Sequence, residues 1–314
     1  MNKNAARRVK VACLAPPDFS RDLDLSDASL AELLDLARQV KRAPGEYAHA
    51  LDGKSIALLF EKPSLRTRLT FELAARQLGG SSVMVEGPIG GREPLKDVAR
   101  NLDRWVGAIA ARTCLHSTIE ELARWSSVPV INALSDLYHP CQALADILTL
   151  REHFGRLRGL KLAFVGDGNN VAHSLMLSAA RLGIDFALAT PTGYVPKPEI
   201  VTQAKELAAR SGSSLLLTND AFEAVADAHA IYTDVWASMG QESEAERRRL
   251  VFSAYRVEPA LFAAARADAI FMHCLPAKRE EEVADEVIES SRSVVFDQAE
   301  NRLHVQKALL LMLL

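Results

Sequence analysis

A short segment that combines hydroxyl and guanidinium groups is the first candidate for chemistry: Ser64-Leu65-Arg66-Thr67-Arg68. It follows a strand-like apolar run at residues 55–60 and opens a helical pattern at residues 66–78. The first turn of a helix has free backbone N–H groups and a partial positive charge, and an arginine fork matches phosphate oxygens. The segment therefore predicts a phosphate-binding turn. The alternative is an N-cap serine followed by solvated arginines.

Arg112 and His139 follow two further strand-like runs, at residues 108–111 and 128–131. Ligands of open parallel sheets bind beyond the carboxyl ends of the strands, so both residues are expected at such an edge. His139 precedes a proline, which favours the first helical position, and Gln142 follows, so both polar side chains belong to a helix N-terminus. A lone histidine of this kind is more often only a cap. Together with the arginines, it predicts a group that polarises a carbonyl oxygen.

Two turns in the second half carry polar side chains at the ends of predicted strands. The turn at residues 166–170, Gly-Asp-Gly-Asn-Asn, lacks the last glycine of the dinucleotide-binding pattern G-x-G-x-x-G. Its asparagines either bind a zwitterionic small molecule or cap a helix. The segment at residues 234–240 begins with Asp234, whose carboxylate would hold an ammonium group, and ends in a glycine that permits a mobile loop. The alternative is a capping aspartate with Trp236 and Met239 as core filling.

The segment His273-Cys274-Leu275-Pro276 raises the question of a metal site, because His139 and Cys141 add further side chains of the zinc-binding type. Their spacings fit neither a zinc finger nor a zinc ribbon, and no CxxC pair occurs, so we expect no metal. The scatter of the cysteines also argues against a disulfide scaffold and favours a reducing compartment, the cytoplasm. The four cysteines are Cys13, Cys114, Cys141 and Cys274.

Strand-like runs alternate with helix-length amphipathic segments along the chain, which is typical of parallel sheets covered by helices. We therefore predict an α/β protein with two domains, each a parallel sheet with helices on both faces, joined by interdomain helices. The first domain is predicted at residues 1–150, with a C-terminal helix at about 300–314 packing back onto it, and the second at residues 151–299. Predicted strands are residues 55–60, 82–85, 108–111, 128–131, 161–165, 185–189, 214–217, 230–234, 269–273 and 294–296. Predicted helices include residues 66–78, 95–106 and 140–154.

Composition limits the classes of partner. The 314 residues are 49% hydrophobic and 25% charged, with a net charge of -3, so no overall basic character favours nucleic acid or a membrane surface. The basic N-terminus is not followed by the apolar stretch of a secretory signal. The longest apolar run, residues 308–314, is far shorter than the ~20 residues that cross a bilayer. We expect a soluble protein that binds small molecules.

Taken together, the motifs resemble those of the aspartate/ornithine carbamoyltransferase family, namely an S-T-R-T-R phosphate loop, an H-P-x-Q helix start and an H-x-L-P loop. The resemblance is specifically to the ornithine branch of the family at residues 166–170, 234–241, 273–276 and 296–302. The resemblance covers nearly the whole chain. It implies transfer of the carbamoyl group of carbamoyl phosphate to the side-chain amine of L-ornithine, giving L-citrulline and phosphate without a cofactor. The same reaction serves arginine biosynthesis, urea-cycle-type chemistry and, in reverse, ornithine-producing catabolism.

The resemblance also implies a role for each matching residue. Arg66, Arg112 and His139 would stabilise the developing oxyanion, and Cys274 would lie near the attacking amine. Leu65 and Arg68 would contribute mainly backbone and structure. The carbamoyl-phosphate-binding residues would be Ser64, Leu65, Arg66, Thr67, Arg112, His139, Gln142, Cys274, Leu275 and Arg302. The ornithine-binding residues would be Asn170, Asp234, Ser238 and Met239.

The attacking amine resembles that of lysine, whose pKa is ~10.4, so the site must favour the deprotonated form and activity should rise with pH. Binding two substrates with two domains also implies domain closure, with residues 238–240 as a candidate lid. Family members form catalytic trimers, which implies a homotrimer or a multiple of trimers here. A loop at about residues 87–96 would complete the neighbouring site. In this loop Pro88 replaces a glutamine or histidine of many relatives, and Leu65 replaces a threonine of the phosphate loop.

Three alternatives remain open. A sibling enzyme would use another amine, such as putrescine or an acylated ornithine, and substrate competition would separate it. A second alternative is a non-catalytic paralogue, which would show binding without turnover. The departures from the family pattern at Pro88 and Leu65 motivate this alternative. A nucleotide-binding dehydrogenase is disfavoured by the missing glycine pattern.

Overall fold

The computed structural model describes residues 18–237 and 242–314. The chain forms two compact units. The first contains the described residues up to Asp136 together with Arg302–Leu314, and the second is Leu137–Asn301.

Aliphatic runs form a four-stranded parallel sheet in the first unit, in the order β2-β1-β3-β4. The central strand β1 is buried at five of its six positions, as expected of a parallel strand with both faces covered. The strands are β1 (Ser55–Phe60), β2 (Ser81–Glu86), β3 (Ala108–Arg112) and β4 (Val130–Leu134). The helices are α1 (Asp27–Arg42), α2 (Leu65–Gln77), α3 (Leu95–Leu102) and α4 (His116–Trp125).

The second unit contains a five-stranded parallel sheet in the order β7-β6-β5-β8-β9. Its strands are β5 (Lys161–Val165), β6 (Asp185–Ala189), β7 (Leu215–Thr218), β8 (Ala230–Thr233) and β9 (Ile270–His273). Its helices are α5 (Pro140–Phe154), α6 (Asn170–Leu182), α7 (Pro198–Ser211), α8 (Ala221–Val225), α9 (Ala245–Phe252), α10 (Pro259–Ala263) and α11 (Asp285–Ile288). The last helix, α12 (Val295–Leu313), continues into the first unit at Arg302. Two parallel sheets flanked by helices confirm the predicted α/β class.

Helix α5 has the predicted ends. His139 is its N-cap residue, Pro140 is the first helical residue, and Gly155 ends the helix in the left-handed region at φ 69°. The sequence placed this helix in the first domain, whereas the compact units group it with the second. The domain boundary near residue 150 therefore stays a prediction.

The predicted strand at residues 294–296 is wrong, because these residues lead into helix α12. Ser293 makes an isolated bridge to Phe271, and the Val294 N–H donates to the Phe271 carbonyl. The Val294 carbonyl then accepts from the Gln298 N–H at 2.9 Å, which is a helical hydrogen bond. A run of three apolar residues is compatible with both a strand and the start of a helix. The hydrogen bonds show that this run leads from a short pairing with β9 into a helix.

Strand β4 begins two residues later than the sequence indicated. The Asp103 carboxylate accepts from the Ser127 N–H at 2.8 Å and from the Val128 N–H at 3.4 Å. These backbone donors are therefore engaged in a turn. The strand begins only at Val130.

None of the helices in the described ranges is both long enough and apolar enough to cross a membrane.

Candidate active site

The phosphate-binding turn predicted at Ser64 opens helix α2 as expected. Ser64 has extended backbone geometry at the N-cap, but its side chain makes no capping hydrogen bond to the helix. Leu65 is 70% exposed, so only its backbone is suited to bind a ligand at the helix end. Arg68 pairs instead with Glu72 at 2.9 Å and with Glu86 at 3.1 Å. This agrees with the structural role expected of Arg68.

Thr67 and Arg302, two predicted carbamoyl-phosphate ligands, contact each other within the first unit. An Arg302 terminal nitrogen donates to the Thr67 hydroxyl oxygen at 2.8 Å, and both side chains are buried. Helix α2 supplies the threonine, and helix α12 supplies the arginine. The contact places a guanidinium group in the first turn of the helix, where an anion would already be favoured.

Arg112 ends strand β3 beside the end of β1, where its Cα is paired in register with Phe60. The Arg112 carbonyl accepts from the Glu61 N–H at 2.9 Å, so the loop that leads to Ser64 starts next to this arginine. Arg112 and the loop that leads to Ser64 therefore lie at the same edge of this sheet, as expected for residues that follow parallel strands.

Glu61 is a residue that sequence reasoning missed. One carboxylate oxygen accepts from the Ile89 N–H at 3.3 Å and the other from the Cys114 N–H at 2.6 Å. Glu61 thus joins the loop at residues 87–96 to the turn after Arg112. Its position directly after β1, at the carboxyl edge of the sheet, was the available signal.

In the second unit, His139 and Gln142 occupy the start of α5 as predicted. The His139 backbone N–H donates to the Ser174 hydroxyl at 2.9 Å. The side chains of His139 and Gln142 are both buried. Gln142 donates from Nε2 to Asp146 Oδ1 at 2.8 Å, one turn further along the helix. Asp146 was also missed, although an i, i+4 pair of this kind is recognisable on a helix.

Asp234 lies in a cluster with Asn169 and Cys274. Its Oδ2 accepts from Asn169 Nδ2 at 2.8 Å, and its Oδ1 accepts from Cys274 Sγ at 3.0 Å and from the Val235 N–H at 2.8 Å. The carboxylate is thus fixed at the carboxyl end of β8, with two predicted site residues, Asp234 and Cys274, in contact. A fixed, largely buried carboxylate of this kind suits an ammonium group.

The asparagines of the turn at residues 166–170 have different roles. Asn169 caps α6, because its Oδ1 accepts from the Val171 and Ala172 N–H groups at 3.0 and 3.1 Å. Asn170, one of the four predicted ornithine ligands, is the first residue of the helix and also accepts from the Val171 N–H at 3.0 Å. Gly168 is required sterically, since a Cβ there would lie 2.4 Å from the Pro196 nitrogen.

Burial raises the pKa of the Cys274 thiol well above its ordinary value, and the neighbouring Asp234 carboxylate raises it further. Cys274 is therefore a neutral thiol near neutral pH. It acts as a hydrogen-bond donor to Asp234 rather than as a thiolate nucleophile.

The three side chains of Asp234, His273 and Cys274 have ligand atoms within 4.8 Å of one another, the one arrangement among the described residues that suggests a metal. His273, however, uses both ring nitrogens inside the protein. Nδ1 accepts from the Leu275 N–H at 2.8 Å, which leaves the proton on Nε2, 3.1 Å from a Glu282 carboxylate oxygen. No imidazole lone pair is left for a metal. His273 instead supports the loop that carries Leu275.

A buried ion pair supports the turn beside Asp234. Arg248 donates to Asp167 Oδ2 at 2.7 Å and to the Trp236 carbonyl at 2.8 Å, and its guanidinium lies 4.9 Å from the Tyr194 ring centroid. No local pattern indicated this arginine, which lies 81 residues from its partner. The predicted ornithine ligands Ser238 and Met239, and the candidate lid at residues 238–240, lie outside the described residues.

Comparisons with known proteins identify the family. Residues 18–152 match the family described as "Aspartate/ornithine carbamoyltransferase, carbamoyl-P binding domain", and residues 158–313 match "Aspartate/ornithine carbamoyltransferase, Asp/Orn binding domain". The ornithine carbamoyltransferase of Anoxybacillus flavithermus is 51% identical over 302 residues, which cover 95% of this chain and 96% of that one.

Solved structures of carbamoyltransferases are also similar to this chain. An ornithine carbamoyltransferase from Pyrococcus furiosus has a TM-score of 0.92 and 48% identity, covering 96% of this chain and 97% of that one. An acetylornithine transcarbamylase complexed with acetylcitrulline is less similar in sequence, with 34% identity and a TM-score of 0.86 over 95% of this chain and 99% of that one. The chain therefore belongs to the aspartate/ornithine carbamoyltransferase family.

Proposed function

We propose that this protein transfers the carbamoyl group of carbamoyl phosphate to the side-chain amine of L-ornithine, giving L-citrulline and phosphate. The fixed Asp234 carboxylate, held by Asn169 and Cys274, is the observation that carries the choice of acceptor. It suits the free α-ammonium group of L-ornithine. An acylated ornithine has a neutral amide at that position and would leave this carboxylate without a cationic partner.

The carbamoyl phosphate site is proposed to use residues of both sequence halves. In the first unit, Ser64, Arg66 and Thr67 bind the phosphate, while Arg112 and Arg302 neutralise charge on the phosphate and the carbamoyl oxygen. These assignments are supported by the Arg302–Thr67 hydrogen bond and by the register of β1 and β3. Guanidinium groups suit the developing oxyanion because they are always charged and donate in a planar fork.

In the second unit, His139 and Gln142 are proposed to bind the carbamoyl group, with backbone carbonyl groups of Cys274 and Leu275 accepting its amide protons. Asn170, Asp234, Ser238 and Met239 are proposed to bind L-ornithine. The side-chain amine must lose its proton before it attacks, and a group of lysine-like pKa is only about one part in a thousand neutral near pH 7.4. The cationic carbamoyl phosphate site favours the neutral amine, so the rate should rise with pH.

A homotrimer, or a multiple of trimers, is proposed as the assembly. Helix α2 exposes a stripe of Leu65, Leu69 and Leu73, and the edge strand β2 exposes Val83 and Val85. Apolar residues clustered in this way are typical of a surface that another protein chain covers. We also propose a reducing compartment, the cytoplasm, since the cysteines are scattered along the sequence without a CxxC pair.

The test is citrulline formation from carbamoyl phosphate by the purified protein, with L-ornithine, N-acetylornithine, putrescine and L-aspartate compared as acceptors. We expect turnover with L-ornithine alone and its loss in Arg66→Ala. Asp234→Asn should raise the KM for L-ornithine while leaving the KM for carbamoyl phosphate nearly unchanged. Turnover with N-acetylornithine instead would keep the carbamoyl transfer but overturn the role of Asp234. Absence of turnover with every acceptor, together with binding of carbamoyl phosphate, would establish a non-catalytic paralogue.

A further inference from the structure

Asp146 is a buried acidic residue on helix α5, and it is not among the residues given a role in the proposed function. It is fully buried, and its Oδ1 accepts from two side-chain amides, Gln142 Nε2 and Gln298 Nε2, each at 2.8 Å. One of these amides belongs to the proposed carbamoyl phosphate site. The other connects to the backbone just before Cys274, because Gln298 Oε1 accepts from the His273 N–H at 3.0 Å.

The contact to His273 fixes which way the Gln298 amide faces. A backbone N–H can only donate, so the Gln298 atom facing it must be the oxygen, and the NH₂ group must face Asp146. Asp146 Oδ1 is therefore an acceptor at this position. The Gln142 amide meets the same oxygen, so it must also present its NH₂ group there.

This orientation leaves the other end of the Gln142 amide as an acceptor. Gln142 is 1% exposed, and its Oε1 accepts no hydrogen bond from any residue in the described ranges. A buried oxygen of this kind is costly unless a donor reaches it. The carbamoyl group of carbamoyl phosphate carries an NH₂ group, whereas an acetyl group of nearly the same shape carries a methyl group and no donor.

We propose that Asp146 is a specificity-determining positioning residue, which holds the Gln142 oxygen toward the ligand and so selects an acyl phosphate with an N–H donor over one without. This inference rests on the proposed function, because it takes carbamoyl phosphate as the ligand of Gln142. Asp146 itself acts through Gln142. The acceptor oxygen, not the negative charge, is the feature that matters.

The experiment measures binding by titration calorimetry for three probes: carbamoyl phosphate, acetyl phosphate and inorganic phosphate. Asp146→Ala should raise the Kd for carbamoyl phosphate by about 3- to 10-fold, the value of one neutral hydrogen bond. The Kd values for acetyl phosphate and inorganic phosphate should stay within about two-fold, because acetyl phosphate has a methyl group in place of the NH₂ group and inorganic phosphate has no acyl group to reach Gln142. Asp146→Asn keeps an acceptor oxygen and should restore the binding of carbamoyl phosphate.

Two further variants separate this role from a loss of structure. Thr149→Val removes a comparable buried partner on the same helix, the acceptor of Asn301 Nδ2 at 3.0 Å, and should leave all three Kd values unchanged. Gln142→Met should reproduce the selective loss even if Asp146→Ala does not fold. Combining Gln142→Met with Asp146→Asn should give no loss beyond that of Gln142→Met.

Several outcomes would overturn the inference. Equal weakening of all three probes in Asp146→Ala would mean that the residue supports structure only. Equal loss in Asp146→Asn and Asp146→Ala would mean that charge, not orientation, is required. If the wild-type protein binds carbamoyl phosphate but forms no citrulline, while the variants show these shifts in Kd, the proposed function is contradicted and the inference holds. A wild-type protein that does not bind carbamoyl phosphate would refute both.

Discussion

Replacing Arg248 by methionine is expected to destabilise the protein strongly, because it leaves the Asp167 carboxylate buried without its cation. The side chains of this pair are 7% and 9% exposed, so solvent cannot replace the lost partner. Breaking a buried ion pair from one side costs about 3–5 kcal/mol. Methionine keeps most of the side-chain volume beside Tyr194, which limits the contribution of a cavity.

The pH dependence of the loss identifies its cause. Burial raises the pKa of Asp167, and Arg248 acts against that effect. Without Arg248 the pKa should rise further above the unfolded value, so the folded state binds a proton more readily than the unfolded state. The destabilisation should therefore be full at pH 8 and decrease as the pH falls through the raised pKa.

The assay is urea unfolding of wild type, Arg248→Met, Asp167→Asn and the double variant, at pH 8 and pH 5. The double variant should lose less than the sum of the single losses by about 1–3 kcal/mol, since the two residues act as a pair. Arg249→Met is the matched control. Its partner Glu281 is at the surface, 3.0 Å away, and the loss should stay below about 1 kcal/mol.

A functional effect should accompany the loss of stability. Arg248 also holds the Trp236 carbonyl, two residues after Asp234, so the KM for L-ornithine should rise more than the KM for carbamoyl phosphate. The reasoning is refuted if Arg248→Met costs no more than Arg249→Met, or if the losses in Arg248→Met and Asp167→Asn simply add.

Three other predictions concern single groups. Thr67→Val removes the acceptor of a buried guanidinium and should raise the KM for carbamoyl phosphate about 10-fold or more; a change within two-fold would exclude the contact from phosphate binding. Burial lowers the pKa of His116, so the folded state should lose stability as the pH falls below 6.5; His116→Gln should reduce this loss in a pH series of urea midpoints, whereas replacing the exposed His49 by glutamine should not. Burial and Asp234 raise the pKa of Cys274, so iodoacetamide at pH 7.5 should modify the exposed Cys114 faster, as peptide mass spectrometry would show; preferential modification of Cys274 would contradict its assignment as a neutral thiol.

The parts of the site that depend on local pattern were predictable from the sequence. Ser64 and His139 stand where a strand or loop ends and a helix begins, and hydroxyl, arginine and proline residues mark such positions by themselves. The alternation of apolar runs and helical segments likewise predicted both parallel sheets. The roles assigned to these residues stay predictions until ligand binding is measured.

Partners distant in the sequence could not be predicted in the same way. Asp146 and Gln298 are 152 residues apart, and Asp167 and Arg248 are 81 apart, so only the folded chain brings them together. Each member alone looks like an ordinary helix or turn residue. Burial gives such pairs their importance, and burial of a polar group is not visible in local composition.

Strand β2 has a consequence for handling the protein. It is the edge of the first sheet, and no other strand in the described ranges pairs with its outer side. Val83 and Val85 are more than half exposed there, and an exposed apolar edge strand is a template for uncontrolled pairing with other chains. If another subunit covers this face in the native assembly, that contact also keeps the protein in solution. Variants that weaken this contact would then yield precipitate rather than a soluble monomer.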